Sequence, residues 1–158
     1  MDLNNKLFRA KELTKEDRRI LIAEGYIPIR QTLGQGRGEY YFIKADSPNL
    51  LEGIEHQFFV LYIGQLLRQF TDTVETFWTR RPDIVFEDKY RNKIAIEVET
   101  GKTLTNRGKL ERKAALLKKE YGSNYFFLVL DRLKRKQYAH YGDAITRMGL
   151  MDKILGYF

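Results

Sequence analysis

The stretch RPDIVFEDKYRNKIAIEVETGK, residues 81–102, contains two β-prone runs separated by the polar turn DKYRN. Side chains alternate along a strand. In KIAIEVET, residues 93–100, Ile94, Ile96 and Val98 therefore share one face, and Ala95, Glu97 and Glu99 the other. Glu97 and Glu99 project together, roughly 7 Å apart along the strand. Asp83 follows Pro82, whose ring fixes the backbone at the start of the first run. Pairing of the two runs through the turn would bring Asp83 alongside the same strand end. Carboxylates at such separations repel and, if buried alone, hold on to protons. A divalent cation removes that penalty. An oxygen donor set without Cys or His points to Mg²⁺ or Mn²⁺ rather than zinc. Such a cation can lower the pKa of a bound water and stabilise charge on a phosphoryl oxygen. The competing reading is a solvated sheet face whose acids pair with lysines.

Outward from this stretch, the pattern alternates helices and strands. Thr14 can cap a helix whose first turn holds Glu16 and Asp17 and which stops at Gly25. YIPIRQTL and EYYFIK around GQGRG predict a hairpin, with Arg37 at its tip available to a phosphate backbone. Helix plus hairpin resembles part of a winged-helix unit. From about Asn49 to Phe70, Leu51, Ile54, Phe58, Tyr62 and Leu66 recur at three- and four-residue steps, the stripe of a half-buried helix. TDTVETFWTR, residues 71–80, is strand-like. Leu104 to Tyr121 reads as a second helix with Leu110, Ala114 and Leu117 on one face and bases on the other, ended by Gly122. NYFFLVLD, residues 124–131, reads as a buried strand, and after the basic link RLKRK a last helix is expected over 138–155. The order predicts an α/β (α+β) fold with a mixed sheet flanked by helices, since a helix crossover permits parallel pairing of the last strand. The expected division is an extension at 1–48 and a core at 49–158.

The 158 residues carry a net charge of +7, which suits a polyanionic partner. The bases concentrate from Lys102 to Lys136, beside the acids, with Lys102, Arg107, Arg112 and Arg135 as candidate phosphate contacts. Cysteine is absent, which removes disulfides and thiolate metal sites and leans towards a reducing compartment. No apolar leader or membrane-length run is visible, so the expectation is a cytoplasmic, nucleic-acid-associated protein with no membrane partner. No pattern for a small-molecule cofactor is present; GQGRG has neither P-loop nor dinucleotide-loop spacing.

Pro82-Asp83, a gap, then Glu97-Val98-Glu99 resembles the PD-(D/E)XK nuclease superfamily, and the inferred order resembles its restriction-endonuclease-like αβββαβ core. IAIEVETGK followed by a lysine-bearing helix is also similar to nuclease-like proteins of archaeal and mobile-element origin. The resemblance covers roughly residues 50–145. It implies metal binding by Asp83 and Glu97, joined by an acid of the first core helix, for which Glu55 is the match. His56, beside it, would contact the scissile phosphate or orient a carboxylate. The tripeptide's lysine is replaced here by Glu99; the family sometimes moves that lysine to the following helix, which makes Lys113 and Lys109 the preferred substitutes over Lys102.

The expectation is a Mg²⁺-dependent DNA endonuclease, a hydrolase of phosphodiester bonds, acting alone or as a homodimer. Its apolar C-terminus, MGLMDKILGYF, could form an interface or pack on its own core. The alternatives are a non-catalytic DNA-binding regulator on a nuclease-like fold, an RNA-processing nuclease, and a basic structural protein of a mobile element.

Overall fold

The computed structural model describes residues 1–34, 36–45, 53–77 and 82–158. The chain divides into two compact units, Met1–Tyr62 and Ile63–Phe158.

In the first unit, β1 (Leu7–Arg9), α1 (Lys15–Ala23), β2 (Ile27–Gln31) and β3 (Glu39–Ile43) form a helix on an antiparallel sheet of order β1-β3-β2. Thr14 and Asp17 make a reciprocal capping box at the start of α1. Past its end, Gly25 takes a left-handed φ of 87°. Leu21 of α1 packs with Ala10, Tyr26 and Phe42. The hairpin expected from YIPIRQTL and EYYFIK is β2–β3, registered as Ile27↔Ile43 and Gln31↔Glu39. The third strand, β1, was not expected: three residues among polar neighbours carry no period, and β3 recruits them (Leu7↔Ile43).

Helix α2, Ile54–Leu67, runs through the division. It is not the half-buried helix expected from the stripe: Phe58, Phe59, Val60, Ile63 and Leu67 are all fully buried, so apolar residues surround most of its circumference. Leu51 of the expected stripe lies outside the described residues, and Ile54 is exposed.

The second unit holds a five-stranded sheet of order β4-β5-β6-β7-β8: Glu75–Thr76, Ile84–Glu87, Lys93–Glu99, Tyr125–Val129 and Asp143–Ile145. β4–β5 and β5–β6 are antiparallel; β6–β7 and β7–β8 are parallel. This is the mixed α/β architecture the sequence predicts. The crossover from β6 to β7 is α3 (Arg107–Tyr121), capped by the Asn106 side chain accepting from Lys109 N. Leu110 and Leu117 of α3 pack on Ala95, Phe127 and Val129, the face of the sheet that also carries Glu97 and Glu99. On the opposite face the C-terminal rings close the core, Tyr157 against Phe86 and Phe126, and Phe158 against Phe70 and Phe86.

Three further expectations are corrected. The strand over TDTVETFWTR shrinks to the two residues of β4, and residues 78–80 lie outside the described set. Helix α3 begins at Arg107, because Lys102–Thr105 close a 3₁₀ turn first. The single last helix over 138–155 is two helices, α4 (Arg135–Tyr138) and α5 (Arg147–Leu155), separated by β8. Between them Gly142 lets the chain pass close to Tyr125, where a Cβ would lie 2.5 Å from the ring, and Ala144 pairs with Phe127.

Candidate active site

The antiparallel register Ile84↔Ile96 places the residue before β5 beside the end of β6. Asp83 is that residue, and its Oδ2 accepts the Val98 backbone N–H at 2.8 Å. One strand edge thus holds Asp83 against Glu97, while the parallel partner β7 registers Phe127 and Val129 beside Glu97 and Glu99. All three carboxylates are buried: 7% exposed for Asp83, 6% for Glu97 and 3% for Glu99. They are not the solvated sheet face of the competing reading.

Helix α3 delivers the counter-charge. With Leu110, Ala114 and Leu117 buried against the sheet, Lys113 falls one position from that stripe and reaches inward. Its Nζ lies 2.9 Å from Glu99 Oε1 and 3.3 Å from Glu97 Oε2. Glu99 is also held from its other oxygen: Oε2 accepts from Thr103 Oγ1 at 2.8 Å and from Tyr138 OH at 3.2 Å.

Three buried carboxylates crowd around the Lys113 ammonium, and the proton affinities follow. Burial pushes the Glu97 carboxyl well above the usual range; Asp83 and then Glu99 raise it further, against the pull of Lys113. Burial alone would lower Lys113, but Glu97, Glu99 and Asp83 outweigh it and hold the ammonium firmly protonated. Burial is also the main reason the Tyr138 hydroxyl is pushed up to about 12.

The donor chemistry, buried carboxylate oxygens with no Cys or His, fits a hard divalent cation. Asp83 and Glu97, side by side where β5 and β6 pair, are the carboxylates that could hold such a cation, while Glu99 is engaged by two hydroxyls and the ammonium. Among the described residues, no group of three or more His, Asp or Glu side chains is arranged to hold a metal ion. Two carboxylates suit Mg²⁺, which keeps several waters and completes its octahedron with substrate phosphate oxygens.

The other expected residues distribute as follows. Glu55 and His56 stand in the first turn of α2, in the first unit, the one half-buried and the other buried. Lys109 is exposed on α3 and forms no part of the ion-pair set around Glu97 and Glu99. Lys102, Arg107 and Arg112 are exposed, as is Arg37 in the first unit. Arg135 is half-buried and its Nη1 donates to the Ala144 carbonyl at 3.5 Å, which ties it to β8. Thr103 and Tyr138 were not among the expected site residues. Thr103 follows Glu99 by four residues in a turn, and Tyr138 sits in a segment that reads as the start of a helix, so nothing in their spacing marked them.

Among the described residues, no helix is long and apolar enough to cross a membrane. Comparison of the chain with protein-family models, with curated proteins and with solved structures finds no match.

Proposed function

We propose that this chain is a metal-dependent endonuclease that hydrolyses phosphodiester bonds in DNA, on a variant of the PD-(D/E)XK core in which a helix lysine replaces the lysine of the tripeptide. The observation that carries the reading is the three buried carboxylates, Asp83 just before β5 and Glu97 and Glu99 on β6, with the half-buried Lys113 of α3 reaching in to them. A solvated structural sheet has no reason to bury three carboxylates around one ammonium, because burying charge is costly unless it is used or neutralised.

Asp83 and Glu97 hold the cation, Mg²⁺ or Mn²⁺. Asp83 is oriented for this by the Val98 N–H, which fixes one of its oxygens. When bound, the cation supplies charge neutralisation at the phosphate and a more acidic water. The Lys113 ammonium stabilises negative charge developing on the scissile phosphate, and it stays protonated throughout neutral pH. Glu99 keeps that ammonium at the strand end rather than in solvent. Exposed Lys102, Arg107 and Arg112 near the same strand–helix connection supply phosphate contacts and a salt-dependent affinity.

The test is cleavage of plasmid, linear duplex, four-way-junction and single-stranded DNA with Mg²⁺, Mn²⁺ or EDTA, and of RNA in parallel. Cation-dependent cleavage that disappears in Glu97→Gln and Asp83→Asn supports the reading. Binding of DNA without cleavage of any substrate favours the DNA-binding regulator instead.

A further inference from the structure

We propose that Thr103 and Tyr138 are positioning residues that reserve Glu99 for Lys113 and keep it from joining Asp83 and Glu97 as a cation ligand. The catalytic consequence rests on the nuclease reading above; the placement of the ammonium does not.

Glu99 is 3% exposed, so its charge depends on protein partners. Its two oxygens are divided between two kinds of partner. Oε2 accepts from the hydroxyls of Thr103, at 2.8 Å, and Tyr138, at 3.2 Å, while Oε1 faces the Lys113 ammonium at 2.9 Å. The hydroxyls are themselves 2.8 Å apart, so two hydroxyl hydrogens serve three oxygen–oxygen contacts and one is shared. With partners on both oxygens, the carboxylate plane is fixed, and turning it towards another ligand would break these hydrogen bonds.

Both hydroxyls come from rigid supports. Tyr138 is fully buried, its ring 5.7 Å from that of Phe127. Thr103 lies in the 3₁₀ turn that opens at Gly101, whose left-handed φ of 100° lets β6 reverse within two residues of Glu99. Lys113, by contrast, sits on a flexible four-carbon stem with many rotamers. A fixed Glu99 gives this stem a defined end point, 3.3 Å from Glu97. The carboxylates therefore divide their work: Asp83 and Glu97, the latter also 3.3 Å from the ammonium, are left to hold a cation, and Glu99 anchors the lysine.

The experiment compares the full chain with Thr103→Val, Tyr138→Phe and the double variant, each removing a hydroxyl at nearly constant shape; Thr103→Ser keeps the hydroxyl. Two readouts are taken. The first is the Lys113 side-chain NMR signal in cation-free protein, assigned by its disappearance in Lys113→Arg. The second is kcat and KM for DNA cleavage with Mg²⁺. The double variant is expected to move the Lys113 signal to the position of exposed lysines. Its kcat is expected to fall about 10-fold or more, the scale of a misplaced group, with KM within about twofold. Thr103→Ser is expected to retain both wild-type values. A Lys113 signal unchanged in the double variant overturns the proposal. A signal that moves while kcat holds overturns its catalytic half. If the wild-type chain cleaves nothing, the nuclease reading fails, and the NMR signal alone decides the placement.

Discussion

Lys113 Nζ lies 2.9 Å from Glu99 Oε1, although helix α3 and strand β6 bring the two from positions fourteen residues apart. The pair makes stability depend on charge matching. Lys113→Met leaves Glu97 and Glu99 buried without a counter-ion, and is expected to destabilise by about 3 kcal/mol, near the low end for breaking a buried pair because the amine is partly exposed. Adding Glu99→Gln to that variant removes one orphaned charge and is expected to restore part of the stability. Urea unfolding of the two single variants and the double variant measures the coupling.

The proton affinity of Glu97 sets a pH dependence of the cation-free protein. Its folded pKa is raised above the unfolded value, first by burial and then by Asp83. The stability it contributes is fully present below the ordinary glutamate value, about 4.3, and is lost as pH rises through the raised value. Asp17, lowered chiefly by its hydrogen bond from Thr14, and Glu39, lowered chiefly by that from Lys11, act in the opposite sense, losing stability as pH falls. The difference in Tm between wild type and Glu97→Gln isolates the Glu97 contribution. In EDTA, wild type is expected to lose Tm relative to the variant as pH rises from about 4 towards 8. Adding Mg²⁺ at pH 8 is expected to raise Tm in wild type more than in Glu97→Gln, since a ligand of the folded state stabilises by mass action.

Much of the second unit was legible in the sequence, and the reason is periodicity. Alternation in KIAIEVET placed Glu97 and Glu99 on one face, and Pro82-Asp83 at the head of the neighbouring run placed a third acid near them. The stripe Leu110, Ala114, Leu117 set the buried face of α3, and Lys113, adjacent to it, could be named as one of three candidate lysines. What stayed hidden has no local period. β8 is three residues long and exists because parallel pairing with β7 rewards Ala144 at the edge of a buried cluster; the surrounding sequence reads as helix. Tyr138 became a partner of Glu99 only through that rearrangement of the C-terminal segment. The division of the chain between Tyr62 and Ile63 falls inside α2, where an unbroken helical pattern hides it.

Gly101 couples the turn to the site. Its φ of 100° is strained for any residue with a Cβ, and Gly101→Ala is expected to destabilise by about 1 kcal/mol from the backbone alone. A Cβ there would also lie 2.6 Å from Lys134 Nζ and 2.7 Å from its Cδ, so the whole Lys134 side chain must shift and the cost rises further. Because Thr103 follows two residues later, cleavage is expected to fall more than stability does. Thermal melts beside single-turnover cleavage separate the two effects.

The exposed bases are expected to act on affinity rather than chemistry. Replacing Lys102, Arg107 or Arg112 by Gln should weaken DNA binding and reduce the slope of log K against log salt by about 1 for each phosphate no longer neutralised. The rate at saturating DNA should hold. Arg135→Gln should change the slope less and stability more, because its guanidinium is already committed to the Ala144 carbonyl.

The most direct test is cleavage of a panel of plasmid and branched DNA by wild type and Glu97→Gln at equal DNA occupancy, with Mg²⁺ and with EDTA. The account predicts Mg²⁺-dependent cleavage by wild type, abolished by EDTA and lowered at least about 100-fold in Glu97→Gln. Equal cleavage by the two proteins, cleavage that persists in EDTA, or no cleavage of any substrate by wild type would contradict it.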